Sequence, residues 1–247
     1  MTPDTTEPTR PQGTPVRPGG GLSRGALSVT AALSIAGALA VFLGHLFAQS
    51  AVIDMGPTDA HYVRDFRDIE RDGEDYFRWS SVPSSLVSLP VRFCGPGSVR
   101  LRVRRHFVDP ATLAVSLSGA VLGQRTVLAR QDHPYDVIEF QVSKAACDYD
   151  ASVLLETSVG NDRSLGVAVD WIEIRGPGAF RATAASLLRG ALLIAATSLA
   201  FFLSGSGIRM AIAANGALVG LIGFGFAWGP VAAERMLRGG LVALLLT

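Results

Sequence analysis

Charged residues are scarce in this chain, since Asp, Glu, Lys and Arg make up 17% of its 247 residues and the formal net charge is +1. A balance this close to zero gives no global attraction to nucleic acid or to an acidic partner. Hydrophobic residues make up 49%, and the mean hydropathy is +0.34. Because the apolar residues are concentrated in a few runs, they favour membrane spans over one large core.

Established catalytic motifs are also missing from the sequence. There is no G-x-S-x-G, P-loop, H-E-x-x-H or C-x-x-C pattern. The segment DIERDG at 68–73 imitates the opening of a calcium loop, but Trp79 stands where that loop needs a bidentate Glu. We therefore expect no metal ion, no cofactor and no catalytic centre in these residues, and we interpret 62–75 as a solvated loop.

Two carboxylates, Asp54 and Asp59, follow the first apolar run directly. One interpretation is a catalytic carboxylate at the membrane surface. The other is a role in strand entry or capping, which is far more common for Asp at such positions.

The only cysteines are Cys94 and Cys147, both in the polar middle of the chain. In an oxidising compartment these two can form a disulfide. Closing a loop of this size contributes roughly 4 kcal/mol in the chain-entropy model. Because bridging requires the two Cβ atoms to lie close together, free thiols remain the alternative.

Long apolar runs divide the chain. Residues 1–25 are rich in Thr, Pro, Gly and charge, which predicts a disordered cytoplasmic tail. About 20 apolar residues span a bilayer core. On that basis we predict transmembrane helices at 26–53, 182–203 and 210–231, and the start of a partial fourth at 239–247.

The orientation follows from arginines at 10, 17 and 24, which precede the first apolar run and favour a cytoplasmic N-terminus. The partial fourth run covers only about 14 Å of a core of roughly 30 Å. We therefore expect the sequence to be the front of a longer polytopic protein.

Between the first two predicted helices, residues 54–178 show strand patterns. In SVRLRVRRHF, apolar residues alternate with Arg100, Arg102 and Arg104. Similar alternation occurs in TLAVSLSG, VIEFQV, SVLLET and LGVAVDWIEI, with turn residues between them. Short strands at this spacing predict an extracytoplasmic antiparallel β-sandwich or jelly roll, so the fold class is a membrane protein of α + β type.

Four residues of this segment are candidate ligand-binding residues. Arg100, Arg102 and Arg104 form a face that suits an anionic glycan or phospholipid headgroups, or else is simply a solvated strand face. Trp79 can serve as a stacking platform for a sugar. Trp171 and Tyr76 are further candidates for sugar stacking. Trp171 continues the inward register of the last strand, however, which favours packing in the core.

Glycines recur four residues apart in the third predicted helix, as Gly216 with Gly220 and Gly225 with Gly229. Such spacing predicts close helix packing, although glycine is common in membrane helices in general.

Several segments also carry a family resemblance: IDMGPTDAHYVRDF, DGEDYFRWS, AVSLSGAVLG and SLGVAVDWIEI before an apolar helix. They resemble the N-terminal region of bacterial multi-pass membrane proteins that hold a galactose-binding-like jelly roll between their first two helices. The resemblance implies a multi-pass protein of the bacterial inner membrane. Many members are similar to GT-C glycosyltransferases, which use polyprenyl-phosphate sugars.

Three hypotheses follow. In the first, a membrane-anchored module binds a glycan or another membrane protein through its sandwich, without a catalytic centre. In the second, the chain is the N-terminal fragment of a GT-C glycosyltransferase. In the third, it is an accessory subunit of a larger membrane complex.

Overall fold

The computed structural model describes residues 24–105, 109–128, 135–143, 147, 150–159 and 165–245. The tail predicted at 1–25 lies outside these residues, except that the first helix begins at its last two. The helices are α1 (Arg24–Phe47), α2 (Ala184–Leu203), α3 (Ile208–Trp228) and α4 (Pro230–Leu245), with a 3-10 helix at Pro57–Tyr62.

The strands, in chain order, are β1 (Ser50–Asp54), β2 (Val63–Arg64), β3 (Phe66–Asp72), β4 (Asp75–Ser81), β5 (Ser84–Ser88), β6 (Arg92–Phe93), β7 (Gly97–Arg104), β8 (Ala111–Leu117), β9 (Ala120–Val127), β10 (Asp136–Val142), β11 (Ser152–Val159), β12 (Leu165–Arg175) and β13 (Phe180–Arg181).

These strands form a β-sandwich of two antiparallel sheets, as the alternating patterns predicted. Sheet A has the order β10-β7-β12-β4-β3, with β1 also paired to β12, and sheet B has the order β2-β5-β11-β8-β9. The inward residues of β7, which are Val99, Leu101 and Val103, are fully buried in the core between the sheets. A separate pair, β6 with β13, stands beside the sandwich.

The segment interpreted as a solvated loop is instead a hairpin. Strand β3 pairs with β4 up to Asp72 opposite Asp75, and Gly73 has a φ of 62° in the turn between them. Glycine adopts this left-handed conformation without steric cost. Strand β3 is at the edge of sheet A and most of its residues are exposed, so it carries charge and lacks the usual apolar alternation.

Three helices, α1, α2 and α3, are long and apolar enough to cross a membrane. The first ends at Phe47 and not at 53, because residues 50–54 form β1 and pair with β12. The apolar stretch predicted to begin at 239 belongs to α4, which starts at Pro230, where a helix tolerates proline because no backbone donor is lost.

Close helix contacts involve glycines other than those predicted. A Cβ on Gly37 of α1 would lie 2.7 Å from the Ile194 side chain, and one on Gly190 of α2 would lie 2.7 Å from the Val41 side chain. In contrast, a Cβ on either residue of the 216/220 pair would meet no atom within 4 Å. A Cβ on Gly225 or Gly229 would make only ordinary contacts with α4. A Cβ on Gly44 of α1 would lie 2.6 Å from the Phe226 side chain of α3. The small residues needed for packing are therefore at the contacts of α1 with α2 and with α3.

Candidate functional site

The outer surface of sheet A around Arg100, Arg102 and Arg104, here called the arginine face, is a network of ion pairs. Arg100 Nη1 lies 3.0 Å from Glu173, and its Nε lies 3.7 Å from Glu139. The network continues through the other two arginines, which pair with Asp75, Asp170 and Asp72. Strand β7 therefore presents its predicted arginines on one face, but each is already matched by a carboxylate.

Aromatic rings underlie two of these arginines. The guanidinium carbon of Arg102 lies 4.3 Å from the centre of the Tyr135 ring, and that of Arg104 lies 4.2 Å from the centre of the Phe77 ring. Such stacking holds a guanidinium in place and covers its plane. Since Arg104 is also buried, the accessible arginines of the face are the other two.

Burial changes the titration of two groups in this network. It raises the pKa of the Tyr135 phenol to about 12, against the opposing effect of Arg104. Burial also raises the pKa of Asp170, while the neighbouring Arg102 lowers it. The phenol therefore stays protonated at neutral pH and can donate a hydrogen bond.

The position of Trp79 does not fit the predicted stacking role. Its side chain is 5% exposed and packs with Phe77 and Ala168 under the outer face. The two aromatic rings meet edge to face at 6.0 Å. A sugar cannot reach either face of an indole enclosed in this way, so Trp79 is a packing residue.

Trp171, which was expected in the core, lies on the outer surface of sheet A instead. A bulge in β12 between Val169 and Trp171 shifts the register, so Ile172 points into the core and Trp171 points outward. A bulge places one extra residue in the strand, and this exchanges the two faces. Trp171 is partly exposed and stands opposite Arg102, while the guanidinium carbon of Arg100 lies 5.8 Å from its ring centre.

The two cysteines form a disulfide, with a distance of 4.6 Å between the Cα atoms of Cys94 and Cys147. Cys94 lies between β6 and β7, and its backbone N–H donates to the carbonyl of Ala179 at 2.8 Å. The bridge therefore ties the segment before β7 to the segment before β11.

A second charged cluster lies where the sandwich meets α4, and we call this contact the junction. Arg235 Nη1 lies 3.0 Å from Asp59 Oδ1 in the 3-10 helix. The guanidinium carbon of Arg238 lies 5.9 Å from the Tyr62 ring centre, and Val231 of α4 is part of the sandwich core. Burial raises the pKa of Asp59, while the N–H of Asp54 and the charge of Arg235 lower it.

Glu234 of α4, one residue before Arg235, is fully buried. Its Oε1 pairs with Arg189 of α2 and lies 3.2 Å from Nε of Arg238. A buried carboxylate requires such partners, because desolvation of an unpaired charge is costly. Local sequence did not predict the burial of Glu234, since its partner Arg189 is 45 positions away.

A crevice of about 190 Å³ opens at the junction. Its walls are the outward residues of β1, which include Asp54, together with Asp59, Arg235 and the residues that join α3 to α4. Asp54 Oδ1 accepts a hydrogen bond from the Gly56 N–H at 3.0 Å, and Asp59 Oδ2 accepts one from the Asp54 N–H at 2.9 Å. Both carboxylates thus cap local backbone, and both also line the crevice.

Within the part of the chain that the structure describes, no group of three or more His, Cys, Asp or Glu side chains is arranged to hold a metal ion. The segment 68–73, which imitates a calcium loop in sequence, belongs to the β3–β4 hairpin.

No protein-family model matches the chain, and no curated protein matches it in sequence. Several solved structures are similar to the sandwich. They include the C-terminal family 6 carbohydrate-binding module of LamC from Zobellia galactanivorans, with a TM-score of 0.37 and 20% identity over 51% of this chain and 99% of that one. Another is a family 35 carbohydrate-binding module from an environmental isolate, with a TM-score of 0.39 and 11% identity over 54% and 97%.

A third similar structure is a carbohydrate-binding module of Cellvibrio mixtus lichenase 5A in complex with cellotriose, with a TM-score of 0.36 and 14% identity over 51% and 96%. These modules are similar to the antiparallel β-sandwich that the two sheets of this chain form. With TM-scores this low, the likeness carries no argument about ligand or activity.

Proposed function

We propose that this chain is an integral membrane protein whose β-sandwich binds a glycan through the arginine face. The observation that carries the proposal is the outward position of Trp171 beside Arg100 and Arg102. A partly exposed indole offers an apolar surface for the C–H face of a sugar ring. Guanidinium and carboxylate groups beside it can donate and accept hydrogen bonds with sugar hydroxyls.

The ion pairs of the face suit exchange with a ligand. The side chains of Asp75 and Glu139 are 41% and 46% exposed, and each pairs with an arginine of β7. Exposed ion pairs contribute little to stability, so a ligand can replace a carboxylate at small cost. A protein partner with a similar polar surface is the alternative occupant of the same face.

The membrane anchor in this proposal consists of α1, α2 and α3. Their length and hydropathy suit a bilayer, and many of their large apolar side chains are exposed, among them Ile35, Leu203 and Phe224. The arginines before α1 support a cytoplasmic N-terminus, which puts the sandwich on the other side, outside the inner membrane of a bacterium.

The test is binding of the detergent-solubilised full chain to an array of neutral and anionic glycans, followed by titration of the best ligand. We expect saturable binding that Trp171→Ala weakens about tenfold, since removing a stacked ring costs an aromatic anchor. The control is Val121→Ala, an exposed apolar residue of β9 in the other sheet. The absence of any glycan ligand, or equal losses in both variants, contradicts the proposal.

A second candidate function is sugar transfer from a lipid carrier, and it is favoured by Asp54 and Asp59 in the junction crevice. Carboxylates in a crevice beside the membrane helices can act as a base on a membrane-borne substrate. Membranes that contain the protein would then transfer a labelled sugar from polyprenyl phosphate, and Asp54→Asn would abolish transfer while the exposed Asp68→Asn would not. A wild-type protein without transfer removes this candidate.

A further inference from the structure

Two cavities meet where α3 ends and α4 begins. The larger, of about 510 Å³, lies between α2, α3 and α4 and is lined by apolar residues. The smaller is the junction crevice, which borders β1. Trp228, Gly229 and Ala232 line both. The two cavities therefore adjoin, and together we call them the groove, with an apolar part and a polar end.

The apolar part matches a hydrocarbon chain in shape and chemistry. Leucine, isoleucine, phenylalanine and methionine side chains from α2, α3 and α4 form its walls. Two of these helices, α2 and α3, are long and apolar enough to cross a bilayer, so this part of the groove opens to acyl chains. Trp228, at the boundary with the polar end, is 82% exposed, and an exposed tryptophan is typical of a membrane–water interface.

If the apolar part holds the hydrocarbon chain of a lipid, the polar end determines which headgroup charge the groove accepts. Its charged residues are Asp54, Asp59 and Arg235, and the last two already form an ion pair. Asp54 is exposed and has no ion-pair partner among the described residues. A phosphate placed here would face an unmatched carboxylate, and such contact between like charges is unfavourable. A hydroxyl group, in contrast, can donate a hydrogen bond to Asp54.

From this geometry we propose that the groove binds a membrane lipid with an uncharged, hydroxyl-bearing headgroup. The acyl chain lies between α3 and α4, and headgroup hydroxyls donate to the Asp54 carboxylate. The polar end of this site borders the arginine face, since Asp54 pairs with Trp171 across β1 and β12, but the apolar part lies between the helices. The inference therefore rests on the lipid chain and does not depend on glycan binding at the arginine face. It differs also from a polyprenyl-phosphate site, whose headgroup is anionic.

The test uses the full chain in detergent and two short lipids, dioctanoyl glucosylglycerol and dioctanoyl phosphatidylglycerol, with bound lipid measured by native mass spectrometry. We expect the glucolipid to bind about tenfold more tightly than the anionic lipid. Ala232→Phe places a bulky ring at the junction of the two cavities and should weaken glucolipid binding about tenfold. Ala213→Phe, the same change at an exposed site of α3 outside the groove, should leave it unchanged.

A third variant tests the headgroup contact. Asp54→Asn retains an oxygen to accept the Gly56 N–H but removes the charge. It should weaken glucolipid binding and strengthen phosphatidylglycerol binding. The inference is overturned if the anionic lipid binds the wild type as tightly as the glucolipid. It is also overturned if Ala232→Phe and Ala213→Phe bind the glucolipid equally tightly. Preferential binding of polyprenyl phosphate also overturns it, and would support the transferase candidate.

Discussion

The arginine face and the junction both pair arginines with buried carboxylates, but the arginine face also holds exposed ones. On the arginine face, Asp170 and Glu173 are buried, whereas the side chains of Asp75 and Glu139 are 41% and 46% exposed. At the junction and beside it, Asp59 is 1% exposed and Glu234 is 0% exposed. The difference between the clusters thus lies in the additional, exposed acidic partners of the arginine face.

This difference teaches that the two clusters have different tasks. An exposed carboxylate is rehydrated when it leaves its arginine, so a ligand can displace it with little loss of stability. A buried carboxylate that loses its partner becomes an uncompensated charge. We therefore interpret the arginine face as a surface for exchange with ligands, and the junction as a fixed attachment of the sandwich to the helices.

The connections of the chain agree with a fixed attachment. Only two residues separate the end of α1 from β1, and two separate β13 from α2. Val231 of α4 also contributes to the sandwich core. We expect the sandwich and helices to unfold together.

The largest loss of stability should come from Glu234→Gln, which removes the ion-pair partner of Arg189 and Arg238. Breaking a buried ion pair by removing one member costs about 3 kcal/mol at the lower end of the usual range, which suits these partly exposed arginines. Unfolding in detergent, followed by tryptophan fluorescence, measures the loss. Glu156→Gln, at an exposed position of β11, is the control. Equal stability of the two variants would show that the buried ion pairs of Glu234 between α4 and α2 do not stabilise the folded chain.

The pH dependence of the junction gives the next effect. Burial raises the pKa of Asp59 above its ordinary value of 3.8. At a pH between 3.8 and this raised pKa, the folded chain therefore binds more protons than the unfolded chain. Its contribution to stability is therefore complete below pH 3.8 and falls as pH rises through the interval, by at most about 1.4 kcal/mol per pH unit.

Melting curves of the wild type and Asp59→Asn between acid and neutral pH isolate this contribution. The stability of the wild type relative to the variant should decrease as pH rises. A relative stability that increases with pH would mean that the Arg235 ion pair outweighs burial.

The smallest stability change should come from Asp75→Asn on the arginine face. Arg102 pairs with both Asp75, which is partly exposed, and Asp170, which is buried. We expect Asp75→Asn to cost less than about 1 kcal/mol, as exposed ion pairs do. Asp170→Asn should cost more, because its carboxylate is desolvated. Chemical denaturation of both variants compares the loss of stability when one or the other partner of Arg102 is removed. Equal losses would contradict the distinction between exposed and buried carboxylates.

Alternation in sequence predicted β7 correctly, because one face of that strand is in the core and the other in solvent. It missed β3, since an edge strand exposed on both faces has no such pattern. It also placed Trp171 in the core, because no residue in LGVAVDWIEI marks the bulge after Val169. The burial of Glu234 depends on Arg189 in another helix, and such a contact cannot be read from local sequence.

The central claim is that Trp171 on the arginine face contacts the ligand. Because the chain has three tryptophans, a variant with Trp79→Phe and Trp228→Phe reports on Trp171 alone. Titration of this variant with the best glycan from the array should give a saturable change in tryptophan emission at the concentrations where binding occurs. A glycan that binds the same variant without any change in emission would contradict the assignment of the arginine face.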